Sequence, residues 1–203
     1  MSTITLSSQQ EKNLRLGFKQ FNRFMVSVWK MGLGKWVNFW PQVGGRIMVI
    51  VHRGRKTGQT RYAPVNYALE NGELYCVAGF GQVTDWYRNV KANPEVEVWL
   101  PDGGWAGIVE EVTDESIRLP LLRQVLINSG FAAGMVGLSP KTMSDADLAA
   151  ATSHYRLLHI YRTGPRPTPK MPPGPIIAFS LGAVSLITLL LWKKWQKEQD
   201  GNS

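Results

Sequence analysis

The sequence predicts a mainly β domain, in which about six short, mostly antiparallel strands close into a small barrel with helices at its ends. Two observations carry this prediction. Runs rich in β-branched and aromatic residues recur through the middle of the chain, and hairpin or turn signals separate them, notably Asn71-Gly72 and the segment 101–104. A chain of 203 residues with 44% hydrophobic residues is long enough for one such core plus appendages.

Alternating apolar patterns place the strands at 46–51, 62–69, 73–78, 96–100, 105–112 and 155–161. Helical periodicity and capping residues place helices at 9–31, 86–91 after Asp85, 113–129 opened by Asp114, and 145–151 after Ser144. Two glycine-rich segments between these elements, 32–41 and 131–140, are predicted to be irregular loops, the first of them a lid or interfacial loop with three aromatic rings.

The first predicted helix separates apolar from basic residues. One face carries Leu14, Phe18, Phe21, Met25 and Val28, and the opposite face carries Lys12, Arg15, Lys19, Arg23 and Lys30. Two interpretations fit this pattern: a helix packed on the domain with a solvated basic face, or a helix that lies in a membrane interface.

The character of the chain changes after the last predicted strand. Residues 164–174 form a proline-rich tether, residues 175–192 contain no charge, and residues 193–203 are polar. Eighteen residues of helix span about 27 Å, close to the hydrocarbon thickness of a bilayer, so we expect a single transmembrane helix; a docked or interfacial helix is the alternative.

The expected domains are therefore residues 1–42, an amphipathic helix with an aromatic loop, and residues 43–163, the barrel, followed by the tether, span and tail. Met1–Asn13 lacks the apolar core of a secretory signal, which predicts a C-terminally anchored protein with its barrel in the cytoplasm.

A net charge of +8 favours anionic partners such as phosphate-bearing cofactors and membrane lipids. No nucleic-acid-binding motif or metal-ligand spacing is present in the sequence, and neither partner is predicted. Cys76 lies in an apolar run and is expected to be a buried, inert thiol, while His154 and His159 are expected to be structural.

The segment 52–61, His-Arg-Gly-Arg-Lys-Thr-Gly-Gln-Thr-Arg, is the strongest candidate for an anion site. Gly54 and Gly58 allow positive φ and close approach of a ligand, and the basic residues with the Thr57 hydroxyl supply donors suited to phosphate. An ordinary basic hairpin turn is the alternative.

The motif at 54–61, together with Asp-Trp-Tyr-Arg-Asn-Val-Lys-Ala-Asn-Pro at 85–94, resembles the deazaflavin-dependent nitroreductase and quinone reductase family over residues 43–161. The resemblance implies a split β-barrel, FMN-binding-like and similar to pyridoxamine-phosphate-oxidase-like flavoproteins, that binds coenzyme F420. The cofactor-binding residues it implies are Arg55, Lys56, Thr57, Gly58, Gln59, Arg61, Pro64, Val77, Ala78, Trp86 and Asn89.

The same resemblance implies a substrate pocket made by Asn66, Phe80, Phe131, Met135 and Leu138. The chain departs from the family nitroreductase at Gly79-Phe80-Gly81-Gln82, where that enzyme has Ser-Lys-Gly-Gly, so one lysine contact to the coenzyme tail is missing. Phe131, Met135 and Leu138 replace a tyrosine-rich segment, which implies a more apolar small-molecule substrate.

The implied function is that of a membrane-anchored oxidoreductase that transfers a hydride from reduced F420 to a lipophilic acceptor such as a quinone or a nitro or enone compound. Two alternatives stay open at the level of the sequence. One is an enzyme of the same fold that uses FMN, and the other is a non-catalytic barrel that binds a cofactor or lipid.

Overall fold

Six antiparallel strands form a closed barrel with the order β1-β2-β3-β6-β5-β4. The structure is a computed structural model that describes residues 8–38 and 44–168. The strands are β1 (Ile47–Arg53), β2 (Thr60–Glu70), β3 (Glu73–Ala78), β4 (Glu95–Leu100), β5 (Gly103–Glu111) and β6 (Arg156–Arg166). The prediction of a six-stranded antiparallel barrel is confirmed.

Two tight turns set the register of the first three strands. β1 and β2 pair from Ile47 opposite Asn66 to Arg53 opposite Thr60, so the cationic turn sits at the tip of this hairpin. Asn71 and Gly72 both have positive φ, 53° and 83°, which is the geometry that an Asn-Gly hairpin requires. Pairing of Val49 with Trp99 on β4 then closes the barrel.

The last strand is longer than predicted. β6 continues five residues past the predicted end at Tyr161 and pairs with β5 as far as Gly104 opposite Arg166. Beyond Ile160 it no longer pairs with β3. Pro165 is tolerated in this stretch because a strand that is paired on one side needs fewer backbone donors.

The helices lie outside the barrel or cover its ends. They are α1 (Ser8–Lys30), α2 (Gly34–Val37), α3 (Asp85–Ala92), α4 (Glu115–Ile127), α5 (Phe131–Met135) and α6 (Asp145–Ala151). Asp114 and Ser144 cap α4 and α6 through bonds to backbone N–H groups, as predicted.

Three local predictions were wrong. The segments predicted as irregular loops each contain a short helix, α2 and α5, because glycine-rich apolar sequence hides a helical turn that tertiary contacts stabilise. Asp85 does not cap α3: Thr84 holds the N-cap position, and the Asp85 carboxylate pairs with Arg55 instead.

The described residues form three hydrophobic core clusters, of which two are large and the third lies beneath α1. The barrel interior contains Met48, Ile50, Leu74, Val98 and Ile160, with Val90 and Tyr87 of α3 packed against its end. A second cluster lies between the outer face of the sheet and α4, α5 and α6. Cys76 is fully buried in the barrel, where burial raises the pKa of its thiol far above the ordinary value.

Helix α1 packs on the outside of the barrel through side chains that the sequence pattern only partly identified. Met25 and Trp29 are buried, and Trp29 contacts Val49 and Trp99, whereas Phe21 of the predicted apolar face is 40% exposed. The side chains of Leu14 and Phe18 lie outside the described part of the structure.

Within residues 8–38 and 44–168, no helix is both long enough and apolar enough to cross a membrane. The predicted span at 175–192 lies outside the described residues, as does most of the predicted tether.

Candidate cofactor and acceptor site

The turn between β1 and β2 is closed by its own backbone. Gly54 N–H donates to the Gln59 carbonyl over 2.9 Å, and the Gly54 carbonyl accepts from the backbone N–H of Gly58 (2.8 Å) and of Thr57 (3.3 Å). Gly58 adopts φ of +64°, the left-handed conformation that glycine tolerates best. The turn is a preformed loop, which we call the cradle (residues 54–61).

Two cations of the cradle face solvent. Lys56 and Arg61 are exposed, and Lys56 makes no ion pair with the residues that the structure describes. Arg61 Nη2 donates to Gln59 Oε1 over 3.1 Å, which orients the guanidinium beside the turn. These side chains offer charge-assisted donors to an anion that enters from solvent.

Arg55 has a different environment. Its guanidinium pairs with Asp85 Oδ1 at 3.1 Å and donates to Asn89 Oδ1 at 2.9 Å, and its backbone N–H also donates to Asn89 Oδ1 at 3.1 Å. Asn89 is buried, whereas the Asp85 side chain is 84% exposed. Arg55 and Asn89 therefore fix the cradle to α3, and Asp85 compensates part of the Arg55 charge.

Helix α3 is held in turn from the opposite side by Glu111 of β5. Glu111 accepts from the Tyr87 hydroxyl at 2.8 Å and pairs with Lys91 at 3.1 Å and Arg156 at 3.6 Å. Burial by itself would raise the pKa of Glu111, but the Tyr87 hydrogen bond and the two cations outweigh it and lower the pKa. Burial and the Glu111 carboxylate raise the pKa of Tyr87 to about 12.

His52 lies beneath the cradle, opposite Arg61 in the β1–β2 pairing. Only 4% of it is exposed, and its Nδ1 has no hydrogen-bond partner among the described residues. Burial lowers the pKa of this imidazole, and the Arg61 charge lowers it further, against an opposing backbone hydrogen bond at Arg53. His52 is therefore neutral near pH 7.

An apolar cavity of about 380 Å³ opens beside the same hairpin. Three parts of the chain that are far apart in sequence build it: helix α1, the region 44–66 with the β1–β2 hairpin, and helix α5. Its walls come from Gly17, Phe21 and Asn22 of α1 and from Phe131, Ala132 and Met135 of α5, and its floor comes from Gly44, Ile47, Pro64, Val65 and Asn66. A volume of this size falls at the lower end of small-molecule sites.

The cradle and the cavity share strand β2. Pro64 of the cavity floor follows Arg61 of the cradle by three residues, which corresponds to about 10 Å along an extended strand. The cradle and the cavity therefore lie close together along one hairpin.

A close approach of backbones lies next to Gly44 of the cavity floor. Gly45 has φ of +78°, and a Cβ at this position would lie 2.6 Å from the Ser129 backbone. Arg46 N–H donates to the Asn128 carbonyl at 2.7 Å, and Asn66 Nδ2 donates to the Arg46 carbonyl at 3.2 Å. These contacts hold α5, which follows Ser129, close to the β1–β2 hairpin.

The structure brings some predicted site residues together and separates others. Pro64, Asn66, Phe131 and Met135 line one cavity. Ala78 lies inside the barrel core, Trp86 packs against that core, and Val77 and Leu138 belong to the cluster beneath α4. Phe80 is half-buried at the start of a short 3₁₀ turn, away from the cavity lining.

Sequence reasoning missed several lining residues, namely Gly17, Asn22, Gly44, Ile47, Val65 and Ala132, and it placed Phe21 only on a helix face. The Gly44-Gly45 pair before β1 was the one available signal, because consecutive glycines often mark a close backbone approach.

Comparison with known proteins identifies one family. The model of the F420H2-dependent quinone reductase family matches residues 22–129. Similar solved structures include an F420-H2 dependent reductase, 24% identical, covering 57% of this chain and 93% of its own with a TM-score of 0.40. An F420 reductase is 18% identical; the match covers 63% of this chain and 93% of that protein, with a TM-score of 0.40. A conserved hypothetical protein from Mycobacterium tuberculosis is 14% identical; the match covers 68% of this chain and 81% of that protein, with a TM-score of 0.42.

Proposed function

Because this chain belongs to the F420H2-dependent quinone reductase family and is an F420-dependent oxidoreductase, we propose that it reduces a lipophilic acceptor, such as a quinone or a nitro or enone compound, at a membrane. The observation that carries the proposal is the apolar cavity on the same strand as the cationic cradle. Because the family is F420H2-dependent and reduces quinones, the coenzyme is F420 rather than FMN, and the chain is an enzyme rather than a non-catalytic barrel.

The residues present fit the coenzyme. Lys56 and Arg61 are exposed cations on a preformed turn, which suits a phosphate and an acidic tail. Pro64, where the apolar cavity begins, offers an apolar contact to the edge of a flat heterocyclic ring. Bound F420H2 supplies the hydride, so the protein has to orient two ligands rather than provide a nucleophile or a metal.

The cavity lining defines the kind of acceptor. Among the described residues that line it, the polar side chains are those of Asn22 and Asn66, and none is an acid or a base. The Asn66 amide is oriented by its bond to the Arg46 carbonyl, so it is placed to direct a carbonyl-bearing acceptor. Apolar walls exclude water from the reacting atoms, and the proton that balances hydride transfer comes from solvent at the mouth.

The proposed membrane anchor is the uncharged segment 175–192, which is followed by Lys193 and Lys194. Its test uses full-length protein with Val184→Arg and Ile187→Arg, since charges near the bilayer centre oppose insertion. After the membranes are washed at high salt, which screens surface charge, we expect the parent to sediment with them and the variant to be released to the supernatant while still oxidising F420H2 with a water-soluble quinone. A parent that is soluble without detergent would contradict the anchor.

Acceptor chemistry is tested with full-length protein in vesicles, F420H2 and quinones that share one ring but carry tails of increasing length. We expect kcat/KM to rise by at least about tenfold over the series, since each buried methylene contributes about 0.8 kcal/mol. Phe131→Ala should raise KM for the acceptor without changing the Kd of the coenzyme. Ile117→Ala, at a similarly exposed residue outside the cavity, is the matched control. Equal rates for all tails would refute a lipophilic acceptor.

A further inference from the structure

We infer that the mouth of the cavity is a membrane-penetrating lip, through which the acceptor passes directly from an anionic bilayer. We use the term lip for Phe21 and Phe24 of α1 and Met31 of the turn after it, with Phe131 and Met135 of α5. The inference rests on the proposed function, and it adds a second membrane contact that is independent of the C-terminal segment.

The lip is a group of large apolar side chains that the fold leaves exposed. Their exposed fractions are 40% for Phe21, 64% for Phe24, 40% for Met31, and 52% each for Phe131 and Met135. Phe21, Phe131 and Met135 also line the cavity, so the exposed apolar surface continues into its interior. Exposed apolar surface that surrounds the mouth of a cavity indicates an interaction site rather than chance exposure.

Helix α1 has separate faces for the barrel and for the lip. Met25 and Trp29 are buried, so they define the face that packs on the domain. Phe21, Phe24, half-buried Val28 and Met31 follow one another at intervals of three or four residues, which places them along one flank of the helix. This second stripe is not required for packing.

The charge around the lip fits an anionic membrane. Between Lys12 and Leu69 the sequence has no acidic residue. It has eleven basic residues there, Lys12, Arg15, Lys19, Arg23, Lys30, Lys35, Arg46, Arg53, Arg55, Lys56 and Arg61. Arg23 and Lys35 are exposed on α1 and α2 next to the apolar stripe. Aromatic and aliphatic side chains beside exposed cations are the features of a surface that binds the bilayer interface.

A bilayer fits this surface better than a protein partner does. Phe21, Phe131 and Met135 are both cavity wall and lip, so a folded partner seated on them would close the mouth. A fluid bilayer covers the same side chains and leaves the cavity open to lipophilic molecules dissolved in it. The side chains of α5 and the turn after it carry no charge from Phe131 to Leu138, which permits their insertion.

Insertion is tested with single-site labels on the full-length chain. Phe24→Cys and Met135→Cys are labelled with an environment-sensitive fluorophore; the native Cys76 is buried and unreactive. Ile117→Cys is the control, since Ile117 is 48% exposed and lies about 15 Å along the α4 axis from the helix end at Ile127, which leads to the backbone contacts at Ser129. With vesicles of phosphatidylglycerol that carry quenchers in their acyl chains, we expect quenching at positions 24 and 135 and none at 117.

Substrate delivery is tested with Phe24→Ser, because Phe24 belongs to the lip but does not line the cavity. We expect unchanged kcat/KM for a short water-soluble quinone and at least a fivefold loss for a long-tailed quinone in phosphatidylglycerol vesicles. Ile117→Ser should change neither value. If Phe24→Ser lost activity on both quinones, or on neither, the inference that the lip delivers the acceptor would be wrong.

The two experiments separate the lip from the proposed function. If the parent reduces no quinone, the proposed function fails, yet the quenching still decides whether the lip enters the bilayer. Absence of quenching at positions 24 and 135 overturns the inference. Labels that are shielded without vesicles, in a species of twice the monomer mass, would assign the surface to a second copy of the chain and also overturn it.

Discussion

The two ends of the β1–β2 hairpin differ in how they are built. The cradle is a run of eight consecutive residues, charged, exposed and closed by its own backbone hydrogen bonds. The cavity beside the same hairpin is apolar, and three segments that are more than twenty residues apart in sequence contribute its walls. One end presents charge, and the other presents a concave apolar surface.

This difference has consequences for energetics. Cations in water bind an anion through interactions that salt screens, and their removal costs affinity with little effect on folding. The cavity exists only if the barrel has closed and α1 and α5 are docked, so a change there costs stability as well as acceptor binding. Each prediction below contrasts the two ends or the residues that join them.

The largest expected effect comes from two glycines with similar backbone angles. Gly45, next to Gly44 of the cavity floor, has φ of +78° and would place a Cβ 2.6 Å from the Ser129 backbone, whereas Gly58 in the cradle has φ of +64° with open space around it. We expect Gly45→Ala to lower the free energy of unfolding by about 3 kcal/mol or more through strain and clash. Gly58→Ala should cost about 1 kcal/mol from its backbone angle alone.

Chemical denaturation of both variants measures this contrast. Equal losses would mean that the cavity floor is as free to adjust as an exposed turn.

Asn89→Ala tests the junction between the cradle and α3. The substitution removes the acceptor of two hydrogen bonds from Arg55, one from its backbone and one from its guanidinium, at a buried position. We expect the free energy of unfolding to fall by about 2 kcal/mol, the cost of unsatisfied buried donors, and the Kd for F420 to rise.

Asn89→Asp is the matched variant, since it retains an acceptor oxygen and should recover most of the stability. If Asn89→Ala keeps the stability of the parent but loses coenzyme affinity, Asn89 contacts the coenzyme and does not act through Arg55.

Lys56→Ala and Arg55→Ala separate binding from support within the cradle. Lys56 is exposed, so its removal should raise the Kd for F420 by about tenfold, with a reduced salt dependence and an unchanged free energy of unfolding. Arg55 is bonded to Asp85 and Asn89, so its removal should change stability as well as affinity.

Titration of F420 at two ionic strengths, combined with denaturation, distinguishes these outcomes. Identical behaviour of the two variants would remove the distinction between a binding cation and a supporting one.

The smallest effect is a pH dependence that arises from His52 beneath the cradle. Burial lowers its folded pKa below the ordinary value of about 6.5, so the unfolded chain binds more protons between these two values. The contribution of neutral His52 to the free energy of unfolding is therefore fully present above about pH 6.5 and declines as the pH falls towards the folded pKa.

We expect His52→Gln to flatten the dependence of the free energy of unfolding on pH between about 7 and 5. His154→Gln, which removes an exposed histidine and retains His52, should leave the slope of the parent in place. If His52→Gln keeps the pH dependence of the parent, that dependence arises from groups other than His52.

The sequence by itself determined the features that depend on near neighbours. The Asn71-Gly72 hairpin, the Asp114 and Ser144 caps, the alternation of the strands and the residues of the cradle were predictable, because each depends on backbone angles and hydrogen bonds within a few residues. The pairing of Arg55 with Asp85 was not, since thirty residues separate them and Asp85 also fits the pattern of a helix cap.

Tertiary structure decided which apolar residues became core, cavity or surface. Trp29 and Leu138 are buried, whereas Phe24, Phe131 and Met135 are exposed. All five are large apolar residues, so hydrophobicity in the sequence does not distinguish the buried from the exposed ones. Burial depends on which other segment covers a side chain, and that follows from closure of the barrel through Val49 and Trp99 and from the contact of Gly45 with Ser129. Because apolar burial has no directional preference of its own, only the assembled barrel selects the partners.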